Sequence, residues 1–116
     1  MQLKVTARTQ DGVLVVDCSG RIVFGEESSL LRETVKPLVT ENNRIVLNLG
    51  EVSYIDSGGL GTLVALLITA QNACGTIKLT NLSKRVGDVL QITKLLTVFD
   101  VCNSEAEAIE SFRKAA

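Results

Sequence analysis

At 116 residues, 46% of them apolar and 22% charged, the chain has material for one hydrophobic core and too little for two. The composition is that of a globular protein and not a disordered one. Its formal net charge of −1, with acids and bases interspersed, leaves no basic stripe for nucleic acid and no polybasic membrane anchor.

Three Phe, one Tyr and no Trp offer little for stacking bases, so nucleic acid is not an expected partner. With no histidine, a Ser-His-Asp hydrolase and a His-ligated zinc site are both excluded. Cys18, Cys74 and Cys102 are odd in number, widely spaced and set in apolar segments. That usage predicts free thiols in a reduced, cytosolic protein, with no metal site and no cofactor. Met1-Gln2-Leu3-Lys4-Val5 lacks the apolar centre of a signal peptide. The longest apolar run, near Leu60 to Ala70, is shorter than the ~20 residues of a membrane helix, so no direct membrane insertion is expected.

In chain order, Leu3 to Thr9 alternates as a strand with one wet face, Leu3, Val5 and Ala7 sharing the other. Asp11-Gly12 is a hairpin turn, and Val13 to Ser19 returns as a strand with apolar residues on both faces. Gly20 to Gly25 bridges to a helix opened by Glu26-Glu27-Ser28, with Leu30, Leu31, Thr34, Val35 and Leu38 as its apolar stripe. Pro37 falls inside that pattern and is expected to kink or end the helix near Lys36. Arg44 to Leu49 reads as a buried strand.

A second helix is expected from about Ser57 to Asn72, capped by Asp56 or Ser57. Its core stripe is Leu60, Leu63, Val64, Leu67 and Ile68, leaving Gly58, Thr62, Ala65, Thr69 and Asn72 on an exposed face of small side chains. Gly75 reads as the C-cap, Thr76 to Thr80 as a strand, and Ser83 as the cap of a short helix. Thr97 to Val101 is a candidate last strand, and Ser104-Glu105-Ala106-Glu107 a capping box opening the final helix. A hairpin followed by alternating helices and strands predicts a single α/β domain over residues 1–116. Its mixed, largely parallel sheet has four to five strands and about four helices.

In such sheets, loops at the carboxyl ends of the strands meet ligands. Three are expected at one edge: Gly20 to Glu26, Asp56 to Gly61, and Asn81 to Lys84. The middle one holds the distinctive segment, Tyr54-Ile55-Asp56-Ser57-Gly58-Gly59-Leu60-Gly61. It fits neither Gly-x-Ser-x-Gly nor a Gly-rich phosphate loop, because Ile55 stands where a glycine would be needed and no Lys follows. It resembles the phosphorylation-site segment of the STAS domain family, in particular the bacterial anti-sigma factor antagonists, with Gly58 where many members carry a second Ser. The order of elements matches that family over nearly the whole chain.

The resemblance implies a cytoplasmic, non-enzymatic regulator of transcription. It would bind an anti-sigma factor that is also a serine kinase, release the sigma factor, and be switched off by phosphorylation of Ser57. A PP2C-type phosphatase would reset it. The expected partner-binding set is Asp56, Gly58, Gly59, Gly61, Thr62 and Ala65, with Phe24 and Ser83 from the two flanking loops. The alternative is a STAS module that binds a nucleotide, or serves as a scaffold or transporter-associated subunit, with Ser57 as a helix cap only. Against the nucleotide, no basic residue lies in the Gly58–Gly61 turn.

Overall fold

A computed structural model describes residues 3–114. Met1 and Gln2, part of the segment read for a missing signal peptide, lie outside the described residues. Strands β1 (Lys4–Gln10) and β2 (Val13–Ile22) form an antiparallel hairpin across Asp11 and Gly12, which both take positive φ (53° and 78°). Those angles are the ones a two-residue hairpin turn of matching twist demands. There follow α1 (Glu26–Val39), β3 (Arg44–Ile55), α2 (Ser57–Asn72), β4 (Thr76–Thr80), α3 (Lys84–Ile92), β5 (Asp100–Cys102) and α4 (Glu105–Lys114). The strands stand in the order β1-β2-β3-β4-β5, with β2 to β5 mutually parallel. Among the described residues the expected mixed sheet has five strands, accompanied by four α-helices and one 3-10 turn at Leu95–Thr97.

Helices α1, α2 and α3 cover one face of the sheet. Leu31, Val35, Leu63, Leu67, Val86 and Leu90 meet Val16, Ile45, Leu47, Leu49, Ile77 and Leu79 in the larger core. On the other face α4 sets Ala108, Ile109 and Phe112 over Val13, Val15 and Val46. The buried Lys78 adds to that seam, its Nζ donating to Ser111 Oγ at 2.6 Å and lying 4.5 Å from the Phe112 ring centre.

Several boundaries differ from expectation for identifiable reasons. β3 does not stop at Leu49 but runs to Ile55. Its second half finds a partner because β2 itself extends past Ser19 and pairs Ser19 with Glu51, Gly20 with Val52 and Ile22 with Ile55. Pro37 neither ends nor breaks α1, which continues to Val39. It falls in the last turn, where the carbonyl it leaves unbonded, that of exposed Glu33, is open to water. Leu30 of α1 is 42% exposed, and Ser28 and Val39 join Leu31 and Val35 in the core instead.

The left-handed residue closing α2 is Cys74 (φ 63°), not Gly75. The N–H of Gly75 reaches Ala70 O and that of Cys74 reaches Gln71 O, the paired bonds of a Schellman cap. Gly75 is required for another reason: a Cβ there would lie 2.0 Å from the Asn43 carbonyl oxygen. The last strand is Asp100–Cys102, because Leu95–Thr97 turns as a 3-10 helix first.

Candidate functional site

β2 and β3 deliver two chain segments to the same edge, and Asp56 ties them together. Its Oδ1 accepts the Gly59 N–H at 2.8 Å, capping α2. Both of its carboxylate oxygens lie 3.1 Å from the Phe24 N–H on the loop entering α1. Its own N–H donates to Ile22 O. Partial burial pushes the carboxyl pKa up, but the N–H groups of Gly59, Phe24 and Gly58 outweigh that and hold it below the usual range. Of the two residues that could have capped the helix, Asp56 does so. Its oxygens are engaged within the chain, by the Gly59 and Phe24 N–H groups.

Ser57 is the first residue of α2 and is exposed; its hydroxyl has no hydrogen-bond partner among the described residues. Gly58 lies directly against the Phe24 loop, where an added Cβ would come within 2.6 Å of Phe24 Cβ and 2.9 Å of its Cα. Gly59 is buried beneath the same junction, its missing Cβ leaving room for the Ile22 carbonyl. These two glycines permit close backbone approach. Gly61, by contrast, faces open space.

The expected exposed face of α2 is rotated. Thr62 is 5% exposed and returns its hydroxyl to Gly58 O at 3.1 Å, whereas Ile68 is half exposed and Leu66 is buried. α2 is apolar almost all round, so its sequence pattern does not single out one stripe, and the covering by α1 decides. The outward line is Ser57, Gly61, Ala65 and Ile68, one helical face.

Phe24, Gly58, Gly61, Thr62 and Ala65 do converge, as lining of a groove of about 480 Å³ between α1 and α2. Phe24 stands at its end with 81% of its surface exposed. Ser83 is not part of it. Its hydroxyl caps α3 through the Val86 N–H and donates to Val52 O. Arg32 of α1 is the only charged residue in the lining, and reading the Gly58–Gly61 turn alone missed it. No local signal could have found it, because only helix packing brings α1 alongside that turn. A depression of similar size at the opposite end of the sheet, around Thr40 to Arg44, includes none of the expected site residues.

Cys18 is buried, and burial with nearby Asp17 pushes its thiol up to about 12, while Cys74 is exposed and Cys102 half-buried. All three are free thiols. No helix of the described residues is long and apolar enough to cross a membrane.

A mixed five-stranded sheet that presents an uncommitted serine hydroxyl at the mouth of its second helix defines a small α/β recognition domain. Comparison places it more closely: the STAS domain profile matches residues 4–108, and the chain belongs to that family. The anti-sigma-B factor antagonist of Bacillus subtilis is 31% identical over 102 residues, covering 87% of this chain and 92% of that one. BtrV of Bordetella bronchiseptica is 28% identical over 113 residues, 97% of each chain. An anti-sigma factor antagonist from Mycobacterium paratuberculosis superposes with a TM-score of 0.84 over 97% of this chain and 95% of that one. At 21% identity that last likeness is one of fold.

Proposed function

We propose that this domain is a cytoplasmic anti-sigma factor antagonist. In its unmodified form it binds an anti-sigma factor with serine kinase activity, so that the sigma factor is released. Phosphorylation of Ser57 ends that binding, and a PP2C-type phosphatase restores it. The observation that carries the reading is the exposed, unbonded Ser57 hydroxyl at the start of α2, beside a groove with an exposed aromatic at its end. In the transfer, Ser57 Oγ bonds to the γ-phosphorus of ATP, the bridging P–O bond breaks, ADP leaves, and the hydroxyl proton passes to a base of the kinase. The domain supplies the acceptor and its placement.

The added group carries roughly −1.5 to −2 charge. A helix N-terminus favours an anion by ~0.3–1 kcal/mol at an exposed position, so α2 survives the modification. Binding does not survive it. A dianion next to the Asp56 carboxylate has to be desolvated against the partner, and an uncompensated buried charge costs several kcal/mol. Each ~1.4 kcal/mol is tenfold in affinity.

The test is to incubate the protein with the candidate anti-sigma kinase and ATP, map the modified residue by mass spectrometry, and titrate both forms against the kinase. A single phosphate on Ser57 and affinity at least ~100-fold weaker are expected, with an unchanged circular dichroism spectrum for Ser57→Asp. Modification elsewhere, or equal affinity of both forms, would sink the proposal.

A further inference from the structure

The groove contains one charged group that has no carboxylate to pair with. Arg32 is exposed, and among the described residues no carboxylate forms an ion pair with it. Its nearest polar contact is Ser29 Oγ, 3.5 Å from Nη2, a hold at the limit of a hydrogen bond. That contact also fixes the direction of the side chain. Arg32 leans back one turn toward the start of α1, as helical side chains do. The start of α1 is bridged to the start of α2 by the bond between Phe24 and Asp56. From the opposite wall, Gly58 and Gly61 line the same groove as Arg32. Gly58 follows Ser57 directly, and Gly61 lies one turn below it on the same helix face. A Cβ at Gly61 would meet nothing within 4 Å, so the α2 surface one turn below Ser57, where it lines the groove, is open.

We propose that the Arg32 guanidinium is the intramolecular partner of a phosphoryl group on Ser57, drawing it into the groove between α1 and α2. This deepens the reading of Ser57 as the modified residue and rests on it. A guanidinium presents forked donors that match phosphate oxygens in pairs, and a phosphoserine placed opposite an arginine gains charge-assisted hydrogen bonds. The modified domain then differs from the unmodified one in two ways. It carries a new anion, and the groove beside Phe24 is filled from within, its arginine no longer available to an acidic side chain of the partner. The other charged groups at this edge include Arg21 near the end of β2, Asp56 on the same turn, Glu26 and Glu27 opening α1, and Lys84, Arg85 and Asp88 on α3. α2 itself contains none. Lys84 is already paired with Asp88 at 3.6 Å. The acids raise the second phosphate pKa and the α2 N-terminus lowers it equally with and without Arg32, so the difference between the two proteins reports the guanidinium.

The experiment installs phosphoserine at position 57 during translation and follows its second ionisation by phosphorus NMR. In the otherwise unaltered protein this pKa is expected about 0.5–1 unit below that of the same protein carrying Arg32→Gln, a solvent-weakened form of the shift an adjacent opposite charge produces. Arg32→Lys should keep part of the difference, and Arg44→Gln, which removes a charge at the far end of the sheet, should leave the pKa where it was. Coincident titrations with and without Arg32 would overturn the proposal, as would an equal shift from Arg85→Gln, which would place the phosphate toward α3. Because the phosphate is supplied without a kinase, a failure here is distinct from failure of the kinase to modify Ser57.

Discussion

Replacing Asp56 by Ala removes two bonds at once, and their geometry sets the expected cost. The N-cap bond from Gly59, 2.8 Å long, belongs to a class whose loss costs ~1 kcal/mol. The contacts from the Phe24 N–H, 3.1 Å to each oxygen, would contribute more if buried. The loop is solvent-exposed, so ~0.5 kcal/mol is the appropriate figure for them. The sum is ~1.5 kcal/mol, which at a urea slope of ~1.5 kcal/mol/M lowers the unfolding midpoint by ~1 M. Asp56→Asn keeps a good capping acceptor and should lose only ~0.5 kcal/mol.

The cost also depends on pH, with a defined sign. The folded-state carboxyl titrates below its ordinary value, so its stabilisation is fully present above the unfolded-state pKa of ~3.9 and disappears as pH falls through the folded value. Urea titrations of wild type and Asp56→Ala should therefore be about 1 M apart near neutrality and draw closer in acid. Amide exchange at Phe24 should quicken in the variant. A midpoint unmoved at neutral pH, or a gap that persists undiminished in acid, would refute the assignment of Asp56 as the tie between the two segments.

Gly58→Ala tests the contact on the other side of that tie. The substitution favours the helix by ~1 kcal/mol, yet its Cβ would meet Phe24 backbone and Cβ atoms, an overpacking that costs ~1–3 kcal/mol. A lowered melting temperature with shifted Phe24 resonances is expected, and a stabilised protein with an unmoved loop would contradict the geometry. Thiol labelling with a chromogenic disulfide should rank Cys74 first, Cys102 next and Cys18 last, the last reacting only on unfolding. Rapid labelling of native Cys18 would show that the interior around β2 opens more readily than its packing implies.

The hairpin at Asp11-Gly12 and the caps Asp56, Ser83 and Ser104 were legible because each is a local bond between near neighbours in sequence. The final helix differs from the expected capping box in one detail: Glu107 accepts from the Asn103 N–H. What depended on distant partners was not legible. Val52 to Ile55 looked like the approach to a turn, since nothing local reveals that β2 runs far enough to pair with it. The exposed line of α2 could not be drawn without α1 against it, and for that reason Ile68, expected inward, is half exposed while Thr62, expected outward, is buried. Gly58, Gly61 and Phe24 of the groove could be picked out from sequence, but Arg32 could not, because it joins them only through tertiary packing.

β2 and β3 remain paired to their final residues, Ile22 opposite Ile55, so that only Asp56 separates the serine from strand ends anchored in the larger core. A phosphate on Ser57, as proposed, would sit one residue from those anchored ends, with little chain through which to pass a shift into the sheet. Whatever reads such a mark would have to touch it, sensing charge and contour at the helix mouth.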